Sequence, residues 1–164
     1  MELEETRQRW DVPIQNAVID SGYNATDVYR FCLATGWKAF KGDDAEFFMH
    51  RSVKTKKVLR RLWEMTRVDP YMGTANQSRR SMPLFRWSNN GVKDALTTYM
   101  NGLAGDWSIP KRTPRQYSKQ VTAERREEVT DVHGRVKFVW KRKFRDNHLF
   151  DCELMVHTAA IITK

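Results

Sequence analysis

The sequence predicts an α/β fold in which helices flank a mixed sheet, within a single domain over residues 1–164 that opens with a polar lead-in at 1–11. Two apolar runs enclose a helical segment near the start, which is the pattern of a βαβ unit with parallel strands. Further strand and helix patterns follow to the C-terminus, with no repeat and no low-complexity linker. A chain of 164 residues is also long enough to bury one core.

The βαβ pattern occupies the first quarter of the chain. PIQNAVID, ending at Asp20, predicts a buried strand, and SGYNAT predicts a turn. TDVYRFCLATG predicts a helix that Asn24 or Thr26 caps and Gly36 ends. WKAFKG predicts the second strand. Residues 43–73 contain a basic amphipathic stretch and then a turn, without a clear choice between helix and strand.

The rest of the chain alternates between strand and helix patterns. Residues 76–90 predict a loop and a strand, 91–102 a helix ended by Asn101-Gly102, and 106–113 a strand that leads into a basic loop. Residues 113–129 predict a mostly helical segment, and Val136 to Lys143 a strand after the His133-Gly134 turn. Residues 146–163 predict a long helix capped by Asp146 or Asn147.

The composition points to a nucleic-acid partner. The formal net charge is +9, and the basic residues concentrate at 51–61, 110–119 and 137–145, where Trp140 and Phe144 are interspersed. Such clusters bind phosphates and stack on bases, although any one cluster can also be an ordinary solvated face. No apolar run is long enough to cross a membrane, and the polar N-terminus lacks a signal core. We therefore expect a cytoplasmic protein without a membrane partner.

Two aspartates are the strongest candidates for metal ligands. Asp20 ends an apolar strand, at the sheet edge where ligands of open α/β sheets gather; the alternative is an aspartate that caps a turn. Asp151 lies one turn into the last helix and shares a face with His148; the alternative is an acid that serves the helix dipole. Asp43 and Asp44 follow the second strand, so Asp44 is a candidate third ligand. Glu153 points to another face and is secondary.

Several other kinds of site are absent from the sequence. The four histidines do not have zinc spacing, and no glycine-rich loop with a following lysine indicates a nucleotide-triphosphate site. We therefore expect no small-molecule cofactor. Cys32 and Cys152 each lie in an apolar helical pattern, which predicts two buried thiols.

Several motifs together resemble one family. They are AVIDSGYNATDVYRFC, WKAFKG, the run from Pro114 to Glu124, the Gly turn followed by Trp140-Lys141, and DNHLFDCE. Their order and spacing are similar, along nearly the whole chain, to the C-terminal nuclease domain of terminase large subunits, the DNA-packaging enzymes of lambda-like tailed phages. IDSGY and NHLFDCE are the most specific of these motifs.

The resemblance implies a ribonuclease H-like fold and carboxylates that bind two Mg²⁺ or Mn²⁺ ions, which cut double-stranded DNA by phosphodiester hydrolysis. It implies catalytic roles for Asp20, Asp151 and His148, with Asp20 and Asp151 as metal ligands; Asp44, from its position after the second strand, is the expected third ligand. It also implies an ATPase segment or chain as partner, acting in the cytoplasm of the host cell. The residues expected to bind DNA are Lys41, Arg79, Arg80, Lys111, Arg112, Lys141 and Arg142.

The sequence departs from the family in two places. The family has an earlier strand, ending in Gly-Val-Asp, that supplies the first catalytic acid, whereas only a polar segment precedes Asp20 here. Ser88-Asn89-Asn90 stands where relatives tend to carry an acid. Two alternatives therefore remain: a non-catalytic basic DNA-binding or assembly module that needs another chain for activity, and a structural protein whose exposed sheet edge pairs with a partner.

Overall fold

The computed structural model of the chain describes residues 2–72 and 81–163, which form a mixed α/β fold. These residues divide into two compact units, Met1–Asn89 and Asn90–Ile162. Within the described residues, no helix has both the length and the apolar character needed to cross a bilayer.

The first unit is built on a four-stranded mixed sheet. Its elements are α1 (Glu2–Arg9), a 3-10 turn (Ile14–Asn16), β1 (Val18–Asp20), α2 (Ala25–Thr35), β2 (Lys38–Asp43), β3 (Phe48–Arg51), β4 (Val58–Arg61), β5 (Trp63–Val68) and β6 (Met82–Ser88). The strand order is β1-β2-β6-β5, with β1, β2 and β6 parallel and β5 antiparallel. The predicted parallel βαβ unit is therefore confirmed, and the strand predicted over PIQNAVID is confirmed only for its last three residues.

Side chains on the two faces of β6 fill two parts of the core. Met82 and Leu84 pack with Cys32 of α2 and Ala39 of β2. The alternate residues Phe85 and Trp87 turn to the opposite face, where their rings lie 5.5 and 5.9 Å from that of Phe40. This strand is therefore buried on both faces, as is usual for strands inside a sheet that helices cover.

The predicted end of α2 is confirmed at Gly36. This glycine has a φ of 85°, in the left-handed region, and its N–H donates to the Cys32 carbonyl at 2.9 Å. Such a residue ends a helix at little cost because it has no Cβ. Asn24 lies at the start of α2, but its side chain donates to Asp27 Oδ2 at 2.7 Å and caps no backbone N–H.

The structure decides two segments of the first unit that the sequence left open. The polar lead-in contains α1, which is held to the start of β2 because the Trp37 indole donates to Glu4 Oε2 at 2.8 Å. Within the segment 43–73, predicted to include a basic amphipathic stretch, residues 48–61 form the antiparallel β3–β4 hairpin and residues 63–68 form β5. The hairpin was missed because its exposed strands lack the apolar–polar alternation that usually marks a strand.

The second unit combines three helices with an antiparallel hairpin. Its elements are α3 (Asn89–Met100), which starts at the last residue of the first unit, α4 (Arg115–Val121), β7 (Glu124–Thr130), β8 (Val136–Arg142) and α5 (His148–Ile162). β7 and β8 form a two-stranded sheet, and α4 packs on α5. The buried apolar side chains come from all three helices and the segment before β7: Val92, Leu96, Val121, Ala123, Phe150 and Leu154.

Three predictions for this unit are wrong. Residues 106–113 form no strand. The helix predicted over 113–129 ends at Val121, and ERREEVT forms β7 instead, because pairing with β8 outweighs the helix preference of its Glu and Arg residues. Cys152 is exposed on α5, whereas Cys32 is buried as predicted. The helices α3 and α5 and the strand β8 match the sequence prediction closely.

Candidate active site

Glu124 carries a buried negative charge at the start of β7. It follows the buried pair Gln120–Val121 and the fully buried Ala123, and only 7% of its side chain is exposed. Lys93 of α3 lies with its Nζ 2.6 Å from Glu124 Oε2, and the Asn147 amide donates to Glu124 Oε1 at 2.7 Å. Both carboxylate oxygens therefore have a partner, which a buried charge requires.

Asp151 lies beside this glutamate, in the first turn of α5. The Asn147 carbonyl accepts from the backbone N–H groups of Phe150 and Asp151, so Asn147 sits at the helix start. The Asn147 amide nitrogen also lies 3.5 Å from Asp151 Oδ1. One amide therefore contacts both carboxylates.

The surroundings of Asp151 raise its pKa above the ordinary value. The main cause is burial, because the carboxyl is half-buried, and the second cause is the negative charge of Glu124. Electrostatic interactions with Lys93, Arg142 and His148 act in the opposite direction but do not cancel these effects. A nearby divalent cation would relieve the repulsion between the two carboxylates.

The donor chemistry of this pair fits a hard divalent cation. Glu124 and Asp151 supply carboxylate oxygens, which Mg²⁺ and Mn²⁺ prefer, while the Asn147 side chain turns its amide nitrogen towards both acids. Among residues 2–72 and 81–163, no group of three or more His, Cys, Asp or Glu side chains is arranged to hold a metal ion. The match between this site and a divalent cation therefore rests on two carboxylates that contact one shared amide.

A cleft of about 370 Å³ opens beside Glu124. Its walls include Thr97, Arg125, Arg126, Trp140 and Phe150. The Trp140 indole donates to Asp94 Oδ1 at 3.0 Å, which fixes the ring at the cleft wall. Glu124 is thus part of a concave surface that carries both an aromatic ring and cations.

Asp20 lies at the carboxyl end of β1, as predicted, and is exposed. Its Oδ1 accepts from the Gly22 N–H at 3.1 Å, and a Cβ on Gly22 would lie 3.2 Å from Asp20 Oδ2. The buried Ser21 hydroxyl donates to the Phe40 carbonyl of β2 at 2.9 Å. The turn therefore fixes the position of Asp20 while leaving its carboxylate open to solvent.

The two acids at the end of β2, Asp43 and Asp44, differ in whether an ion pair with another described residue holds them. Asp43 pairs with Arg86 at 2.5 Å, and this guanidinium holds the Asp43 pKa below its usual value. Arg86 also binds Glu64 at 2.6 Å, so Asp43 belongs to an ion triad on the sheet. Asp44, the predicted third ligand, is exposed just beyond β2. In the parallel register Asp20 lies opposite Phe40, three residues before Asp43.

The remaining predicted residues that the structure describes are at the surface. His148 is exposed at the start of α5. The predicted DNA-binding residues that are described are all exposed: Lys41 in β2, Lys111 and Arg112 before α4, and Lys141 and Arg142 in β8. Arg79 and Arg80 fall outside the described residues.

Glu124 was not among the acids singled out from the sequence. Glu124 is the first residue of the charged run ERREE, which suggests a solvated helix. Nothing in the local pattern therefore indicates a buried carboxylate. The one available signal was its place at the end of the Pro114 to Glu124 run, which contributes to the family resemblance. Asp151, in contrast, was found from its position on the last helix.

Comparison with known proteins identifies the chain at the family level. The sequence model of the endonuclease domain of terminase large subunit gpA matches residues 1–164, the whole chain. Searches of the curated proteins and of the solved structures gave no match. The family is one of nucleases that act in phage DNA packaging. The chain therefore belongs to the family of the terminase large subunit gpA endonuclease domain.

Proposed function

We propose that this chain is a metal-dependent endonuclease that cuts double-stranded DNA during packaging, by hydrolysis of a phosphodiester bond. The observation that carries the proposal is the pair of carboxylates, Glu124 and Asp151, around the Asn147 amide. The family supports a nuclease role, and the net charge of +9 suits a polyanionic substrate.

Glu124 and Asp151 are the proposed metal ligands of the second unit. Bound Mg²⁺ or Mn²⁺ supplies positive charge that lowers the barrier to hydrolysis, and the family resemblance supports two ions. Lys93 is a proposed positioning residue, because it holds one oxygen of Glu124 and leaves the other to Asn147. Asn147 in turn aligns the first turn of α5, which carries Asp151.

Other residues have proposed roles that rest on position and on the family resemblance. Asp20 and Asp44 are proposed as further metal ligands, and His148 as a contact to the cut phosphate. Lys41, Lys111, Arg112, Lys141 and Arg142 are proposed to bind the DNA backbone. We also propose a ribonuclease H-like fold and an ATPase segment or chain as the partner in packaging.

Cleavage of supercoiled plasmid DNA tests the proposal. We expect the purified chain to nick or linearise plasmid in Mn²⁺ or Mg²⁺ and to lose this activity in EDTA. Asp151→Asn should abolish cutting, because it removes a ligand charge while keeping the shape of the side chain. Asp146→Asn is the matched control, since Asp146 is exposed five residues earlier and should leave the rate unchanged.

Two further measurements test the proposed metal ligands and the proposed nuclease activity. Asp20→Asn should lower the rate if Asp20 is a ligand, whereas Asp27→Asn, at an exposed position on α2, should not. Intact plasmid in both metals, with and without an ATPase partner, would contradict the nuclease proposal. DNA binding without cleavage would then favour a non-catalytic DNA-binding module, in keeping with the lack of a three-acid group among the described residues.

A further inference from the structure

We propose that the β3–β4 hairpin, residues 48–61, is a DNA-binding ribbon that enters the major groove of the duplex. This rests on the proposed function in one respect, namely that double-stranded DNA is the substrate. The hairpin belongs to the unit Met1–Asn89, whereas Glu124 and Asp151 belong to Asn90–Ile162. It is also separate in sequence from the residues proposed above to bind DNA.

The first argument is uncompensated charge. Between Phe48 and Arg61 the sequence has six Lys and Arg residues and no Asp or Glu: Arg51, Lys54, Lys56, Lys57, Arg60 and Arg61. None of the six forms an ion pair among residues 2–72 and 81–163, whereas Arg86, Lys93, Arg126 and Lys141 all do. Arg60 and Arg61 instead lie over the rings of Phe47 and Trp63, which hold a guanidinium without neutralising it.

The second argument is that the ribbon is anchored at its base and open elsewhere. Phe48 is 7% exposed, and the Arg86 guanidinium lies over its ring. Beyond it, the residues from Met49 to Arg60 are exposed except Ser52, which is partly buried. Opposed residues of an antiparallel pair share a face, so Arg60 and Arg51 lie on one face and Arg61 on the other. Positive charge is therefore available on both faces.

The third argument is the turn that joins the two strands. Ser52 closes it, because its carbonyl accepts from the Lys56 N–H and its hydroxyl oxygen accepts from the Thr55 N–H. Lys56 has a φ of 59°, a left-handed conformation in which a glycine would be more stable. A lysine there adds charge at the tip of the ribbon at some cost to the fold, as is common at functional positions.

The shape and chemistry favour duplex DNA over other polyanions. The major groove of DNA, about 12 Å wide, admits a two-stranded β-ribbon with phosphates on both sides, whereas the major groove of duplex RNA is too narrow. The exposed apolar residues of the two strands are divided between the faces: Met49 and Val58 lie on the face that also carries Arg51 and Arg60, and Leu59 lies on the other. A membrane-surface element would gather such residues on one face.

Binding measurements without cleavage test the ribbon. The Asp151→Asn protein is titrated into a fluorescent 30-base-pair duplex in EDTA, and anisotropy is followed at several salt concentrations. A second protein carries three further substitutions, Lys54→Glu, Lys56→Glu and Lys57→Glu. We expect it to bind the duplex at least about tenfold more weakly. The slope of log affinity against log salt should fall in magnitude by about two to three. The matched control, Arg9→Glu, Arg30→Glu and Arg135→Glu, makes the same change in charge at exposed positions elsewhere and should cost less than threefold.

A second variant separates loss of binding from loss of folding. This variant carries the substitutions Lys54→Gln, Lys56→Gly and Lys57→Gln. It lacks the same three cations but has a glycine at the left-handed position. We expect an equal or higher Tm together with weaker DNA binding. Equal affinities for this variant and its parent would overturn the proposal, as would binding to anionic phosphatidylserine vesicles that depends on these lysines while duplex binding does not. If the unsubstituted chain binds DNA through the ribbon but never cuts it, the nuclease proposal fails and this one stands.

Discussion

Asp151 and Glu124 show how differently two acids of one site can be read from sequence. Asp151 lies on a strongly apolar helix, so its carboxylate stands out as an unusual residue on an inward face. Glu124 lies in ERREEVT, where charged neighbours hide the fact that its own side chain is 7% exposed. Only the pairing of β7 with β8 and the approach of Lys93 make it a buried carboxylate. Such long-range contacts have no local signature.

Glu4 gives a prediction about pH at the scale of a single residue. Hydrogen bonds from Arg7 and then from Trp37 lower the Glu4 pKa from 4.5 to about 2. Because the folded pKa lies below the unfolded one, the contribution to stability is complete above pH 4.5 and is lost as the pH falls towards about 2. We expect Glu4→Gln to lower Tm at pH 6–7 and to match the wild type near pH 2.

Thermal melts of both proteins across this range measure the effect. Glu5→Gln is the control, since Glu5 is exposed on the same helix, and it should show a small difference at every pH. A Tm difference between wild type and Glu4→Gln that stays constant from pH 7 to pH 2 would contradict the assignment of the Trp37 and Arg7 contacts to the Glu4 carboxylate.

At the scale of helices and strands, the sequence predicts the elements that a local residue pattern defines. The helix α2 has an apolar face and a glycine stop, and α5 is a long segment of strongly apolar composition, so both were predictable. The hairpin β3–β4 and the strand β7 are charged and exposed over much of their length, and they are strands because of their partners. Residues 106–113 read as a strand but have no partner strand among the described residues, and they remain irregular.

The ion pair between Lys93 and Glu124 links α3 to β7 and should be costly to break. The two side chains are 14% and 7% exposed, so Lys93→Met leaves an unpaired buried charge. We expect a loss of about 3 kcal/mol in the free energy of unfolding, measured by urea denaturation. Adding Glu124→Leu to this variant should restore part of the loss, because the unpaired charge is then gone.

A surface pair on the same hairpin provides the comparison. Arg125 pairs with Glu127, but the arginine side chain is 66% exposed. Arg125→Ala should therefore cost no more than about 1 kcal/mol. If Lys93→Met cost as little as Arg125→Ala, the Lys93–Glu124 contact would not be a buried ion pair, and the positioning role proposed for Lys93 would lose its basis.

At the scale of the whole molecule, charge is the property that the sequence predicts best. The excess of nine positive charges is independent of how the chain folds, and it indicates a polyanionic partner before any element is placed. What the composition does not predict is which cations are neutralised. Arg86 and Lys93 are paired with acids, whereas the cations of the β3–β4 hairpin pair with no acid in the part of the chain that the structure describes.

The net charge predicts a strong dependence of DNA affinity on salt. If about four phosphates are contacted, raising monovalent salt from 50 to 200 mM should weaken binding by roughly a hundredfold, because condensed counterions are no longer released so favourably. Anisotropy of a labelled duplex with the Asp151→Asn protein in EDTA measures this. A change of less than threefold would show that binding does not depend on phosphate contacts.

The two cysteines differ in a way that is useful for spectroscopy. Burial raises the pKa of the Cys32 thiol to about 11, so near neutral pH it has almost none of the thiolate that reacts with alkylating dyes. Cys152 is exposed on α5, next to Asp151 in sequence. A maleimide fluorophore is therefore directed to Cys152, and the natural sequence supplies an attachment point for a reporter one residue from a proposed metal ligand.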